Sequence, residues 1–241
     1  VLLWPDTFNN YFMPHTARAA IHVLESLGYD VRVPSRPLCC GRPLYDFGML
    51  DMAKRQLRQI MDHLKAEIRA GTPIVALEPS CAAVFRDELV NLFPHDEDAM
   101  RLSKQVMTLA ELLDRYPPER ALPRLDAQAL VHGHCHHKAV MGLTAEQKLL
   151  GNLGLDYHLL DSGCCGMAGS FGFTQEHYDT SLKIGGLVLL PAVREAGPDT
   201  AVAPARGRCS LRTSTSSRSW TSRRRCSSCA ARTARTSSPL F

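Results

Sequence analysis

Residues 38–48, LCCGRPLYDFG, and residues 163–173, GCCGMAGSFGF, share one pattern, an adjacent pair of cysteines followed directly by glycine. The pair that begins at Cys39 lies 125 residues before the pair that begins at Cys164. A motif that returns at such a distance, with apolar and glycine residues around it in both places, indicates an internal repeat.

Two further landmarks recur at nearly the same offset. Thr7 lies 128 residues before Cys135, and Cys81 lies 128 residues before Cys209. An offset that stays nearly constant across three landmarks predicts that the fold is duplicated.

Each repeat alternates strand and helix patterns, which predicts an α/β fold of two pseudo-repeated units, with parallel strands covered by helices. We predict a first CCG unit at 1–125, a second and truncated one at 126–203, and a disordered tail at 204–241. The predicted strands are 1–4, 29–33 and 74–77, then 130–132, 155–160 and 201–203; the predicted helices of the first unit are 16–27 and 49–70.

The net charge of +4 hides an uneven distribution. Nine Arg and no acidic residue follow position 203, whereas 19 Lys and Arg face 24 Asp and Glu before it, a net charge of −5. The Ser, Thr and Arg of the tail show little apolar periodicity, which predicts disorder. We favour a shifted reading frame over a natural basic tail, we expect no nucleic-acid partner, and we interpret Cys226 and Cys229 as incidental.

The chain has no run of ~20 apolar residues and no leader pattern, so we expect a cytoplasmic protein. It opens at Val1 inside a predicted strand, and we expect it to be a piece of a longer polypeptide.

Nine cysteines in such a chain predict metal or redox chemistry rather than a disulfide framework. Neighbouring Cα atoms lie ~3.8 Å apart, whereas a relaxed disulfide needs ~4.4–6.8 Å. Each adjacent pair is therefore poorly suited to bridge itself and well suited to offer two thiolates to one metal centre.

In the second unit we expect Cys135, Cys164 and Cys165 to bind a metal or cluster, with Cys209 as a doubtful addition. All follow predicted strand ends, where ligands of parallel sheets gather. Thiolates favour iron–sulfur clusters or zinc. Gly166 allows a tight turn, and a helix predicted to open at 167–170 would stabilise thiolates at its N-terminus.

In the first unit the expected ligands are Cys39, Cys40 and Cys81. Thr7 stands where the second unit has Cys135, and a hydroxyl is a poor cluster ligand. The first site could hold a cluster with fewer cysteines, share one with the second unit, or be vestigial.

The run HGHCHHK at 132–138 is dense in histidine. One of these side chains could be a ligand, but we favour hydrogen bonding to sulfur or to backbone carbonyls. Lys138 and Arg42 could offset the negative charge of a thiolate-bound cluster.

The stretches CCGRPLYDFG, LEPSC, HGHCHHKAVMG and SGCCGMAGSFGF resemble the cysteine-rich CCG domain family. That family includes a component of heterodisulfide reductase and the iron–sulfur components of glycolate oxidase and anaerobic glycerol-3-phosphate dehydrogenase. The resemblance is greatest to the C-terminal region of bacterial proteins that fuse an FAD-linked oxidase domain, a ferredoxin-like domain and this cysteine-rich region.

The resemblance implies a [4Fe-4S] iron–sulfur cluster and an electron-transfer module of a 2-hydroxy-acid dehydrogenase acting on lactate, glycolate or 2-hydroxyglutarate. FAD would then be carried only by an upstream domain or a partner, and a ferredoxin-like iron–sulfur domain would be a second partner. The chain alone would not be catalytic, and it could be peripheral at the inner face of the membrane. The alternatives are a zinc-stabilised structural or interaction domain and a thiol–disulfide redox module.

Three positions depart from the family pattern. Thr7 replaces its first cysteine, and Glu78 stands where the fullest motif has a cysteine three residues before Cys81. Cys209 lies where the tail has lost the expected context.

Overall fold

The structure, a computed structural model, describes residues 1–169, 171–196 and 200–204. Within that part, two three-stranded sheets are formed, and every strand pairing in them is parallel. This confirms the predicted α/β class. The strands are β1 (Leu2–Trp4), β2 (Ile74–Ala76), β3 (Val106–Met107), β4 (Gln128–His132), β5 (Asp156–Leu160) and β6 (Ala201–Pro204).

Helices and short helical turns connect these strands. The α-helices are α1 (Pro14–Ser26), α2 (Arg42–Asp46), α3 (Leu50–His63), α4 (Lys65–Ala70), α5 (Pro79–Ala83), α6 (Leu89–Leu92), α7 (Glu97–Gln105), α8 (Leu109–Arg115), α9 (Thr144–Asn152), α10 (Tyr178–Gly185) and α11 (Leu189–Glu195). The π-helical turns are Phe8–Phe12, Val84–Glu88 and His137–Met141, and the 3₁₀ turns are Phe171–Phe173 and Gln175–His177. No helix of the described residues is both long and apolar enough to cross a membrane.

Strands β1 and β4 hold corresponding places in the two sheets, because each has a parallel neighbour on both sides. In the first the order is β1-β2-β3, and in the second it is β5-β4-β6. β4 pairs on one side with β5 and on the other with β6, as β1 pairs with the segment around Arg32 and with β2. β3 lies outside this correspondence, as an added edge of the first sheet.

The strand predicted at 29–33 is reduced to a single bridge between Leu2 and Arg32. Two backbone hydrogen bonds flank it, from the Leu3 amide to the Arg32 carbonyl (2.8 Å) and from the Arg32 amide to the Val1 carbonyl (2.9 Å). Pro34 follows at once and has no N–H to continue the ladder, so the pairing stops there.

The first sheet is buried on both faces. Trp4 is 1% exposed and packs edge-on against Phe85, with ring centroids 4.8 Å apart. Leu3, whose side chain points to the opposite face as strand geometry requires, belongs to a second buried cluster. The second sheet has a smaller core among the described residues, centred on Leu130, Leu160 and Leu189.

The single helix predicted at 49–70 is two helices, α3 and α4, separated at Leu64. The backbone of Leu64 leaves the helical range, with φ −96° and ψ 16°. Its side chain stays buried, as Ile60 and Ile68 do on either side, so the apolar periodicity continues through the break and does not reveal it. Gly71 ends α4 with a φ of 72°, as predicted from the sequence.

The boundary of the predicted tail stays a prediction, and its first residue, Pro204, is the last residue of β6. The disorder predicted beyond it lies outside the described residues, as do Cys209, Cys226 and Cys229.

Candidate metal centre

The cysteines of the second unit follow two paired strands. Cys135 comes shortly after β4, and Cys164 and Cys165 come after β5. The two strands run parallel, with His132 opposite Leu160, so both cysteine segments leave the same edge of the sheet.

Ser162 ties these two strand ends together. His132 Nδ1 lies 2.6 Å from Ser162 Oγ, and both side chains are buried. Lys138 Nζ donates to the Ser162 carbonyl oxygen. The segment that carries Cys135 is therefore fixed against the segment that carries the adjacent pair.

Cys135, Cys164 and Cys165 line one cavity of about 520 Å³. Cys135 is exposed, and the other two are partly buried. Burial raises the pKa of the Cys135 thiol, and the nearby sulfurs of Cys164 and Cys165 raise it further, as expected for like charges that approach each other. Both units contribute to the wall, the first through Phe8, Arg42, Asp46, Phe47, Glu78 and Ser80.

Gly166 is required by the turn that follows the cysteine pair. Its φ is +92°, and a Cβ there would lie 2.2 Å from the backbone oxygen of Ser181 in α10. The Gly166 amide also donates to Cys164 Sγ at 3.3 Å.

The helix predicted to open at 167–170 is wrong for the residues that are described there. Met167 to Gly169 form a turn, with positive φ at Ala168 (28°) and Gly169 (63°). Consecutive residues in this region cannot propagate a right-handed helix. The next α-helix among the described residues, α10, begins only at Tyr178, so the α-helix expected to open beside the thiols is not found in that part of the chain.

Two histidines flank Cys135. Ligand atoms of His134, Cys135 and His136 lie within 4.8 Å of one another. The two rings, however, stack with centroids 5.3 Å apart and planes 21° apart. Imidazole nitrogens bind metals in the plane of the ring, so lone pairs of stacked rings do not converge on one ion.

A hydrogen bond helps to hold His134 and His136 in their stacked arrangement. The His136 amide donates to His134 Nδ1 at 3.2 Å. Burial lowers the pKa of His134 to about 4, which keeps its ring neutral at pH 7. Burial and the charge of Arg42 also lower the pKa of His136. That these rings support sulfur rather than ligate stays a prediction.

The cysteines of the first unit also come together. Cys40 Sγ and Cys81 Sγ lie 3.0 Å apart, and both residues are buried. A hydrogen bond with Cys40, together with burial, raises the pKa of the Cys39 thiol, while a hydrogen bond with Thr7 lowers it. Thr7, at the position of the missing cysteine, thus contacts the cysteine set directly.

The cysteines of the first unit, Cys39, Cys40 and Cys81, do not face the cavity. Arg42 and Ser80, which neighbour Cys40 and Cys81 in sequence, do line it. The Cys81 thiol has a raised pKa: the hydrogen bond with Cys40 lowers it, but burial and the carboxylates of Asp6 and Glu78 raise it more. Buried negative charge beside Cys81 disfavours another thiolate there.

Glu78 has a structural role at the position where a further cysteine could have stood. It is 6% exposed, and its carboxylate accepts from the Ser80 amide (3.2 Å) and the Ser80 hydroxyl (2.8 Å). It thereby caps α5, the helix that carries Cys81. The sequence does contain the signal for this cap, an acceptor followed by proline at the first helical position.

Arg42 contributes a buried cation to the wall between the units. It pairs with Glu88 and lies 3.9 Å from Asp46, and its Nη2 donates to the Ser80 carbonyl at 3.4 Å. Its charge is therefore already balanced by first-unit carboxylates, which the sequence alone did not reveal.

A parallel α/β protein in which cysteine-rich turns follow the strand ends, with three of the cysteines lining one cavity, is the class that this fold and site define. The chain belongs to the cysteine-rich CCG domain family: the family described as "Cysteine-rich domain" matches residues 6–86 and 130–211. The resemblance read from the sequence is thereby confirmed.

Known relatives are components of dehydrogenase and lactate-utilization systems. One component of the anaerobic glycerol-3-phosphate dehydrogenase of Escherichia coli (strain K12) is 31% identical over 208 residues, which cover 84% of this chain and 52% of that relative. Lactate utilization protein A of Bacillus licheniformis is 29% identical over 169 residues, 66% of this chain and 69% of the relative. The chain spans about half the length of the first of these relatives.

Proposed function

We propose that this chain is the iron–sulfur electron-transfer module of an FAD-linked dehydrogenase. The observation that carries the proposal is the convergence of Cys135, Cys164 and Cys165 on one cavity between the units. Three thiols from two strand ends are a donor set that fits an iron–sulfur cluster. Such a cluster would supply one-electron chemistry at this position.

The cluster type and the ligands are part of the same proposal. We propose a [4Fe-4S] cluster held by Cys135, Cys164 and Cys165, with Cys209, outside the described residues, as a doubtful fourth ligand. For Cys39, Cys40 and Cys81 we propose at most a second, weaker site, because Thr7 and Glu78 stand where further cysteines would be needed.

The partners follow from the relatives by analogy. One relative is named as part of a dehydrogenase and another as a lactate utilization protein. We therefore propose that a flavin domain or a separate flavoprotein oxidises a 2-hydroxy acid and passes electrons to this chain, and that a ferredoxin-like iron–sulfur domain is the other partner. A cytoplasmic location, peripheral to the membrane, fits this role.

Anaerobic purification followed by visible spectroscopy and metal analysis tests the proposal. We expect a broad brown absorption band, with iron and acid-labile sulfide in equal amounts. A colourless protein that contains zinc would overturn the proposal in favour of a zinc-stabilised interaction domain.

A thiol–disulfide redox role is the second candidate, and the 3.0 Å approach of Cys40 Sγ to Cys81 Sγ favours it for the first unit. Free thiols can be counted in metal-free protein before and after reduction. A gain of two thiols upon reduction, mapped to Cys40 and Cys81, would support this candidate; no gain would exclude it.

A further inference from the structure

A buried polar chain crosses from the first unit to the second at the N-terminus of α8. Thr108 caps this helix: its hydroxyl accepts from the Glu111 amide at 3.2 Å, and its own amide donates to Glu111 Oε2 at 2.9 Å. The same hydroxyl donates to Glu146 Oε1 in α9 at 2.9 Å. Thr108 is 6% exposed, so this hydrogen bond between the units is shielded from water.

The chain continues from Glu146 to the segment that follows Cys135. Glu146 Oε1 lies 3.0 Å from His137 Nε2. His137 is 2% exposed and opens the π-helical turn His137–Met141, two residues after Cys135. Among the described residues neither ring nitrogen of His137 forms a hydrogen bond, so this contact is the close approach of a partly buried carboxylate to a buried imidazole.

The Cys135 sulfur accepts a backbone hydrogen bond from the His136 amide. The side chain is exposed, and its sulfur approaches His136 Nδ1 only at 4.0 Å. Its segment is fixed before it by the contact of His132 with Ser162. After it, Lys138 Nζ donates to the Ser162 carbonyl oxygen, and His137 Nε2 lies against Glu146 Oε1.

We propose that His137 and Glu146 are positioning residues, through which the cap of α8 in the first unit sets the position of Cys135 in the second. The proposal rests on the proposed function only in taking Cys135 as a cluster ligand. Residues that orient a ligand from behind typically change metal affinity by about 10–100-fold when they are removed. The second unit would thus supply the thiols of the cluster site, and the first unit would supply the contact that positions Cys135.

The first test uses metal-free protein and needs no cluster. Cys135 is alkylated under native conditions, and its modification rate is followed by peptide mass spectrometry in wild type, Thr108→Val and Glu146→Leu. We expect a faster reaction of Cys135 in both variants, because its segment would be less firmly held, and an unchanged rate at the buried Cys81. Thr108→Ser, which keeps the hydroxyl, should react as wild type does.

The variant Leu113→Ala is the control for an effect of lost stability alone. Leu113 lies in α8 and is buried, but it takes no part in the polar chain. Denaturant titrations followed by circular dichroism would show that Leu113→Ala and Thr108→Val are both folded and compare their free energies of unfolding. A Cys135 rate equal to wild type in Thr108→Val and Glu146→Leu, or an increase equally large in Leu113→Ala, would overturn the proposal.

The second test uses iron-loaded protein. We expect Glu146→Leu to lose iron to a chelator about 10-fold faster than wild type, with a shifted EPR spectrum of the reduced cluster. A wild-type chain that takes up no iron would contradict the proposed function, while the alkylation rates would still decide the role of His137 and Glu146.

Discussion

Cys40 and Cys81 of the first unit are 3% and 7% exposed, with their sulfurs 3.0 Å apart, whereas Cys135 of the second unit is exposed and faces a cavity of about 520 Å³. Only the turns at Cys39–Cys40 and Cys164–Cys165 share one sequence pattern, and Cys135 stands at the position that Thr7 holds in the first unit. The causes differ: burial and the carboxylates of Asp6 and Glu78 raise the pKa of Cys81, whereas burial and the neighbouring sulfurs of Cys164 and Cys165 raise the pKa of Cys135. A duplicated motif therefore fixes where thiols lie, and the residues around them decide what they can bind.

The supporting structure differs in the same way. The sheet of the first unit is covered on both faces by buried clusters, and its helices α7 and α8 have side-chain N-caps. Among the described residues of the second unit, one small cluster supports the sheet, and α9, α10 and α11 have no side-chain cap hydrogen bond. The unit with the open thiols is thus the less rigid one, which agrees with an anchor taken from the first unit.

Iron content gives the largest expected contrast between the units. In anaerobically reconstituted protein, we expect Cys165→Ser to remove most of the iron and Cys40→Ser to leave most of it, because the first set lacks a thiol at Thr7. Cys229→Ser in the tail is the matched control. Equal losses from the two substitutions would show that the two units bind equally well.

A single buried side chain should contribute more to the free energy of unfolding in the core of the first unit than in the core of the second. Leu57 is fully buried in the first unit, and Leu130 is 7% exposed in the small cluster of the second. We expect Leu57→Ala to lower the free energy of unfolding by about 3–5 kcal/mol and Leu130→Ala by about 2 kcal/mol, since the cost grows with the cavity left behind.

Two optical probes can separate these effects in denaturant titrations. In a Trp220→Phe background, fluorescence of Trp4, which is 1% exposed in the first core, reports the first unit, and circular dichroism reports both units. Two separate transitions are expected if the second unit opens first. A single transition, shifted equally by both leucine substitutions, would contradict this difference between the cores.

The two glycines after the cysteine pairs sharpen the comparison further. Both have positive φ, +92° at Gly166 and +81° at Gly41. A Cβ at Gly166 would lie 2.2 Å from the Ser181 carbonyl oxygen, but one at Gly41 would meet no atom nearer than 3.7 Å. We expect Gly166→Ala to destabilise by about 2–4 kcal/mol, through strain and a clash, and Gly41→Ala by about 1 kcal/mol, through strain alone.

Thermal unfolding of the two alanine variants beside wild type measures this difference. The serine substitutions at the same positions should follow the same order. Comparable losses at Gly41 and Gly166 would mean that α10 does not approach the second turn as closely as described.

The sequence was sufficient for features that depend on local pattern. Alternating apolar runs and helical periodicity predicted the parallel α/β class, and the position of the cysteines after strands predicted which segments lie at the sheet edge. Other features depend on residues far apart in the chain. The closeness of Gly166 to Ser181 requires the path of α10, and the contact of Thr108 with Glu146 requires the packing of α8 on α9.

Two helices were predicted wrongly, at 49–70 and at 167–170, because the sequence pattern does not show where the backbone departs from helical geometry. The break at Leu64 keeps every apolar residue on the buried face, so periodicity predicted one helix where there are two. At Met167 to Gly169 the composition permits a helix, but the close packing of Gly166 on α10 directs the chain into positive φ at Ala168 and Gly169. Tertiary contact therefore overrode local propensity at the turn next to the proposed ligands.

The smallest expected effect concerns the caps that only the first unit has among the described residues. Asp96 accepts from the Ala99 amide at 3.0 Å and pairs with Arg58 at 2.6 Å. The Ala99 hydrogen bond and the charge of Arg58 hold the pKa of Asp96 below its usual value, against the opposing effect of burial. Because the folded pKa is the lower one, the stabilisation is present above the unfolded pKa and is lost as pH falls through the folded pKa.

We therefore expect Asp96→Ala to lower the free energy of unfolding by about 1 kcal/mol at pH 7, and this difference to shrink as the pH falls below about 4. Asp96→Asn keeps an acceptor for the Ala99 amide but not the charge, so it should retain most of the stability and lose the dependence on pH. Denaturant titrations at several pH values measure both variants. A loss that stays constant down to low pH would mean that the carboxylate charge contributes nothing, and that the first unit owes its rigidity to its core rather than to its capped helices.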